Sequence, residues 1–194
     1  VKVALSGIVA LFGTYQIAAN GVAQSIWSLA ALVGSAMGPV FITVIGQCMG
    51  AKDVDQAKFY FSKLIKWSLI FSIVWNVLVL AITPFILQFY NLADETKHLI
   101  IILVIIHNIA NTVVFPLSGP LSQGLRTTGD VKFTMIVSIA STVGGRLVLS
   151  IILALGLHLG VIGIALAMCG DWTIRAIIFY YRYKSNAWTK FEVI

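Results

Sequence analysis

Charged residues are scarce in this chain, and acidic residues are the scarcest, with only seven among 194 positions. Charged side chains make up 10% of the sequence and hydrophobic ones 59%, against about 25% and about 45–50% in soluble domains. This composition excludes an ordinary soluble domain. Long apolar runs at 69–87, 99–115, 133–157 and 161–181 have roughly the 20-residue length that crosses a hydrocarbon core. They lack the in-out alternation of barrel strands, so the sequence predicts an all-α, polytopic transmembrane helix bundle.

Cysteine is also rare, and the motifs of common enzymes are missing. Cys48 and Cys169 form neither a disulfide framework nor a metal-ligand spacing. The sequence has no Gly-x-x-x-x-Gly-Lys loop for nucleotide phosphates, no His-Glu-x-x-His zinc motif and no Gly-x-Ser-x-Gly nucleophile turn. His107 and Ser118 come nearest to a base and a nucleophile, but they are too far apart on one helix to hydrogen-bond directly. We therefore expect no enzymatic activity, no catalytic residue, no metal site and no cofactor.

The surplus of basic residues indicates a topology. The formal net charge is +6, yet lysine and arginine cluster at the ends of apolar segments, so no basic face is available for nucleic acid. Three basic regions, at 52–66, 126–132 and 182–190, fall on one side if the helices cross the membrane in turn. The positive-inside rule makes that side cytoplasmic. The sequence therefore predicts a multi-pass protein of the cell membrane, surrounded by lipid, with its basic loops and C-terminus in the cytoplasm.

The spacing of apolar segments and turn residues predicts about six helices. Their expected bounds are 1–13, with the first helix cut short, 16–48, 54–89, 95–124, 131–156 and 160–185. Asp53, Asp94 and Asp130 precede the third, fourth and fifth of these and are expected to cap them, because a short carboxylate accepts from the free N–H groups of a first turn.

Polar side chains recur at helical spacing within three of the apolar segments. The repeats are Asn20, Gln24, Ser28 and Ser35; His107, Asn111, Ser118 and Ser122; and Ser138, Ser141, Thr142 and Gly145, leading to Arg146. Polar groups are costly against lipid, so these stripes are expected to face one another or a water-filled cavity. Hydrogen bonding between helices without any role in transport is the alternative. His107 ionises near neutral pH in an ordinary environment, and a histidine satisfied within the core is the alternative there.

Three ionisable residues are predicted to lie within the membrane. Asp171 is about 11 residues, or roughly 16 Å, into the last helix, and Arg175 follows one turn later. Arg146 lies about 15 residues into the fifth helix. A charge at mid-bilayer costs at least about 2.5–3.5 kcal/mol, which favours a coupling or gating site. An ion pair between Asp171 and Arg175 that only stabilises the helix is the alternative.

Three segments together resemble the multidrug and toxic compound extrusion (MATE) transporters. They are GQCMGAKD at 46–53, GLRTTGDVKF at 124–133, and DWTIR at 171–175 followed by Arg182, Lys184 and Trp188. The resemblance covers the whole chain and is to the C-terminal six-helix lobe. It implies one lobe of a two-lobe fold of twelve helices, with a central cleft that opens alternately to either side.

The resemblance also implies a function, namely export of cationic or lipophilic drugs and toxic compounds in exchange for Na⁺ or H⁺. The expected partners are small organic cations and the N-terminal lobe of the same transporter, and the coupling ion replaces any cofactor. The pathway candidates are Asn20, Gln24, His107, Asn111, Arg146, Asp171 and Arg175. Many members carry an acidic residue in the helix that corresponds to 95–124, where this chain offers His107, Asn108 and Asn111. A non-transporting membrane fragment and a lipid-linked oligosaccharide flippase of the related superfamily are the alternatives.

Overall fold

The computed structural model describes residues 2–90 and 92–191. Position 1, where the first predicted helix starts, and Asn91, which belongs to a predicted turn, lie outside the described residues. The helices are α1 (Lys2–Val9), α2 (Thr14–Ala30), α3 (Leu32–Gly50), α4 (Val54–Gln88), α5 (Asp94–Ser118), α6 (Pro120–Thr127), α7 (Val131–Ala140), α8 (Val148–Ser150) and α9 (Gly160–Lys184). Short 3₁₀ turns follow α1 (Ala10–Phe12) and α9 (Ala187–Lys190). No strand occurs among the described residues, so the predicted all-α class is confirmed.

Five stretches within the described part of the chain are long and apolar enough to cross a membrane. They are Leu32–Gly50, Val54–Gln88, Asp94–Thr127, Val131–Gly156 and Gly160–Lys184, and a shorter apolar helix occupies Val3–Phe12. Helix α4 illustrates the pattern, since large apolar side chains such as Phe71, Val74 and Phe85 are exposed along it. Side chains of this kind are stable when they face lipid, so the bundle is suited to a membrane.

The predicted helix 16–48 is wrong as a single element, because the structure divides it at Ala31 into α2 and α3. Just before the break, Ser25 Oγ donates to the Gly21 carbonyl and Ser28 Oγ donates to the Gln24 carbonyl. Serine hydroxyls that bond back to the preceding turn compete with the backbone ladder and bend helices. Pro39 lies within α3, eight residues beyond the break.

The predicted helix 95–124 is also divided, at Gly119, into α5 and α6. Pro120 is the first residue of α6, and a proline has no N–H to continue the hydrogen-bond ladder of α5. Pro116 lies within the last turn of α5 and removes a second donor nearby. The two prolines, four positions apart, account for the interruption of the α-helix at this point.

Of the three predicted helix caps, only Asp53 is confirmed. Its carboxylate accepts from the Gln56 N–H at 2.9 Å. Asp94 is the first residue of α5, and Ala93 precedes the helix without a side-chain cap. Asp130 occupies the cap position of α7 but makes no cap hydrogen bond. Its carboxylate instead accepts from Arg182 Nε at 2.7 Å, because a guanidinium binds a carboxylate more strongly than a backbone N–H does.

The predicted fifth helix, 131–156, is helical throughout but changes its winding. After α7, Ser141–Leu147 is π-helical, α8 restores three α-helical residues, and Ile151–Gly156 is π-helical again. We call Ser141–Leu147 the first π segment and Ile151–Gly156 the second. A π-helix bonds residue i to i+5, is rare, and occurs often at functional sites.

Helix α5 lies at the centre of the bundle and packs against α9, α2 and α4. At the end that carries the basic loops, Phe41, Phe61 and Trp188 belong to one core. Trp188 is fully buried, and its ring centroid is 4.8 Å from that of Phe61, so the turn after α9 is docked against α4.

Helix α9 approaches the second π segment very closely. A Cβ on Gly163 would lie 2.6 Å from the backbone nitrogen of Ala154. Only a residue without a side chain allows this approach. The contact sets the position of α9 against the helical stretch 131–156, whose first π segment carries Ser141 and Arg146.

Candidate functional site

Asp171 is the centre of a buried charged group between α9 and the first π segment. Its side chain has no exposed surface. Oδ2 lies 2.7 Å from Arg146 Nη2 in an ion pair and accepts from Arg175 Nη2 at 2.9 Å, while Oδ1 accepts from the Ser141 hydroxyl. We call these four residues the Asp171 group. The predicted pairing of Asp171 with Arg175 is present, and Arg146 is a second partner that the sequence did not pair with it.

The first π segment explains why Ser141 and Arg146 reach the same carboxylate. At 3.6 residues per turn, residues five apart in an α-helix point about 140° away from each other. In a π-helix the i to i+5 hydrogen bond places such residues nearly in line. Ser141 and Arg146 stand five positions apart at the two ends of this segment, so the wider winding brings both to Asp171.

Two guanidinium groups and one carboxylate leave this buried group with a surplus positive charge. The side chains of Arg146 and Arg175 are 15% and 17% exposed, and the Nε atom of each is buried without a hydrogen-bond partner. Because both oxygens of Asp171 are already occupied, a cation could bind this carboxylate only after an arginine had left it.

A second polar region lies between α4 and α5. Asn111 Nδ2 donates to Asn76 Oδ1 at 3.2 Å, and Asn76 Nδ2 donates to the Ser72 carbonyl at 2.8 Å. His107 is buried, with Nδ1 2.8 Å from the Leu103 carbonyl. Several buried atoms of this row have no partner: Ser68 Oγ, Ser72 Oγ, His107 Nε2, Asn108 Oδ1 and Asn111 Oδ1. We call these side chains, with Asn76, the α4–α5 polar row.

Sequence reasoning found the α5 half of this row and missed the α4 half. Ser68, Ser72 and Asn76 recur every four residues in an otherwise apolar segment, which is a helical signal that the sequence did contain.

The predicted α2 stripe is less buried. Asn20 and Gln24 are half-buried, while Ser28 and Ser35 are exposed. Among the described contacts, neither Asn20 nor Gln24 hydrogen-bonds to the row or to the Asp171 group.

An aromatic cluster lies beside both polar regions. Trp172 follows Asp171 on α9, stacks on Trp27 of α2 at a centroid distance of 5.7 Å, and meets the edge of Phe115 at 5.3 Å. The α4–α5 polar row approaches the same place, because a Cβ on Gly34 would lie 2.7 Å from the Phe115 ring and 3.9 Å from Ser72 Oγ. Trp27 Nε1 is a further buried donor without a partner. Neutral polar atoms, aromatic rings and a charged group therefore meet within the membrane-spanning helices.

Comparisons with known proteins show what this chain is similar to. The family model of MatE matches residues 1–152. The uncharacterized transporter YisQ of Bacillus subtilis (strain 168) is 24% identical over 186 residues, which cover 93% of this chain and 39% of YisQ. The chain thus spans less than half of the length of this relative.

Proposed function

Because the chain belongs to the MatE family, we propose that it forms one lobe of a secondary active antiporter. In this proposal the complete transporter exports cationic or lipophilic compounds in exchange for Na⁺ or H⁺. Family membership and the transporter relative support transport itself. The exchange, the substrate class and the coupling ion are our proposals.

The observation that carries the substrate proposal is the α4–α5 polar row beside the Trp27, Trp172 and Phe115 cluster. Aromatic faces attract cations and apolar rings, and they do so without the desolvation cost of a fixed countercharge. Neutral oxygen atoms of serine and asparagine can orient the polar part of such a compound. Ligand sites of this composition, mainly apolar with a few convergent polar groups, are the common kind.

We assign the Asp171 group a different part in the transport cycle. Its charges hold α9 to the first π segment, and both carboxylate oxygens are engaged. A transporter must bind its two ligands differently in its two states. We propose that Arg146 is paired with Asp171 in one state of the transporter and separated from it in the other. Forming and breaking this pair would then couple the two transported ligands.

A second lobe is needed for a complete cleft. The chain matches 39% of YisQ, so a protein of that length has room for a second bundle of similar size. Two lobes supply the opposite walls of a cleft at the bilayer midplane, where secondary transporters bind their substrates. We propose that an N-terminal lobe, or a second copy, supplies the other wall, and that the 194-residue chain alone does not transport.

Efflux of a fluorescent cationic dye from cells tests the substrate site. The full-length protein is compared with Asn111→Leu, which removes the amide from the row while it preserves most of the volume. We expect efflux to fall roughly tenfold, since one to two hydrogen bonds to the transported compound are lost. Gln88→Leu, at the exposed end of α4, is the matched control and should leave efflux unchanged. Unchanged efflux in Asn111→Leu at equal membrane abundance would contradict the site.

Proteoliposomes test the antiport. The full-length protein is reconstituted, and dye movement is followed while either a Na⁺ gradient or a pH gradient is imposed alone. We expect one of the two gradients to drive dye movement against its concentration gradient. If neither does, the protein is not an antiporter of this kind.

A further inference from the structure

The interior of this bundle has too few negative charges for its positive ones. Within the described residues, Asp171 is the only carboxylate away from the ends of the spanning helices, because Asp55, Asp94 and Glu95 lie in first turns. Arg146 and Arg175 share that one carboxylate. The Asp171 group therefore holds a net charge of one positive unit.

No other described acid supplies the missing charge. Asp130, the nearest buried carboxylate along the chain, is engaged by Arg182 through two hydrogen bonds, at 2.7 and 3.3 Å. Among the described contacts, the exposed Arg126 guanidinium donates to the neutral hydroxyls of Thr134 and Ser138, at 3.3 and 3.4 Å, and meets no carboxylate.

The two arginines of the Asp171 group have unsatisfied hydrogen-bond donors as well as an unbalanced charge. Arg175 Nη2 donates to Asp171 Oδ2, Arg146 Nη2 forms an ion pair with the same oxygen, and each arginine has a buried Nε without a partner. Buried polar groups of native proteins are almost always satisfied, and an unsatisfied charged donor is among the costliest exceptions. The same two side chains thus have one countercharge between them, and the Nε of each lacks a hydrogen-bond acceptor.

We propose that the Asp171 group is a binding site for an oxyanion, of which a carboxylate is the simplest example. An oxyanion supplies the missing charge and the missing acceptors together. A planar guanidinium presents parallel N–H donors that match the two oxygens of a carboxylate, a geometry that a spherical halide does not offer. This oxyanion site is separate from the proposed transport function. It can therefore be tested by a binding measurement without any transport assay.

Thermal unfolding of the full-length protein in detergent tests the site, with intrinsic tryptophan fluorescence as the signal and acetate as the probe. Sodium acetate replaces sodium chloride at constant ionic strength. A ligand that binds only the folded state raises the unfolding midpoint as its concentration rises. We expect acetate to raise the midpoint above its value in chloride. Arg146→Gln and Arg175→Gln should each abolish this difference, and Lys66→Gln, which removes an exposed charge from α4, should retain it.

Asp171→Asn keeps the proposal testable if the arginine variants fold poorly. The change preserves the shape of the side chain and raises the surplus to two positive charges. We expect a lower starting midpoint and an acetate response that reaches half its maximum at a concentration roughly tenfold lower than in wild type, as the competing carboxylate is gone. Equal midpoints in acetate and chloride for wild type and Asp171→Asn would overturn the proposal. So would an acetate effect that persists unchanged in both arginine variants.

Discussion

At the scale of single residues, two buried aspartates show how one residue type serves two arrangements. Asp130 is paired with one arginine, Arg182, whose guanidinium also stacks over the Phe133 ring at 4.4 Å. That group is neutral overall and joins the loop before α7 to the end of α9. Asp171 has two arginines and a serine, and its group is positively charged. The first arrangement is suited to holding two elements together, and the second retains the capacity to bind.

Asp130→Asn tests the neutral pair. The substitution leaves Arg182 largely buried without its countercharge, and loss of one partner from such a pair costs about 3–5 kcal/mol, or about 2–3 kcal/mol here because Arg182 retains some contact with solvent. We expect a clearly lower unfolding midpoint in detergent. Asp55→Asn is the control, because its pair with Lys58 is exposed and its loss should change the midpoint little. Equal midpoints for the two variants would show that the buried pair adds no stability.

Gly163→Ala tests the close contact between α9 and the second π segment. The new methyl group would meet backbone atoms of Leu153 and Ala154, so the helices must separate, and overpacking of this kind typically costs about 1–3 kcal/mol. Gly144→Ala is the matched control, since nothing lies within 4 Å of a Cβ at that position. Thermal unfolding should separate the two variants, with only Gly163→Ala destabilised. A Gly163→Ala variant as stable as wild type would contradict this contact.

At the scale of elements, one departure from regular α-helix, the first π segment, lies where polar groups come together at Asp171. The break at Gly119 follows from proline chemistry and was open to prediction from Pro120. The π segments could not be predicted from the sequence, because the hydrophobic periodicity over 131–156 is equally consistent with an unbroken α-helix. We attribute the winding of the first π segment to the neighbouring α9, whose Asp171 accepts from Ser141 and forms an ion pair with Arg146.

A single-residue deletion and a single-residue insertion in the first π segment have opposite expected effects. Deletion of Gly144 places the serine and the arginine four positions apart, and residues four apart share one face of an α-helix. Both side chains can then still reach Asp171, and we expect stability near that of wild type. Insertion of an alanine after Val143 places them six apart and on different faces, so Arg146 is lost from Asp171, which keeps Arg175, and we expect a lower unfolding midpoint than in the deletion variant. Equal unfolding midpoints for the two variants would contradict this role of the segment.

At the scale of the whole molecule, the distribution of charge predicts how the bundle lies in the membrane. The basic regions at 52–66, 126–132 and 182–190 occur at one end of the helices, and Arg182 with Asp130 joins two of them. This end is expected to be cytoplasmic. The turn around Glu95 lies at the other end of α4 and α5, and it is expected outside the cell.

Labelling of single cysteines in intact cells checks this orientation. In the full-length protein with Cys48→Ser and Cys169→Ser, one new cysteine is placed at the exposed position Lys63 or at the exposed position Glu95. A membrane-impermeant thiol reagent should label Glu95→Cys in intact cells and Lys63→Cys only after the cells are opened. The reverse pattern would show that the bundle lies the other way round.

The sequence by itself determined the class of the protein, because long apolar segments with few charges and no in-out alternation can satisfy their backbone in lipid only as helices. It also identified ionisable residues within the candidate spanning helices and the partner one turn from Asp171, since both follow from position along a single helix. Contacts between distant segments depended on the tertiary structure. The pairing of Arg146 with Asp171, the α4 half of the polar row and the aromatic cluster join residues of different helices, and periodicity within one helix does not report which faces meet. The close approach at Gly163 and the π winding of Ser141–Leu147 exist only once those faces are packed together, and it is this packing that leaves two arginines sharing one carboxylate.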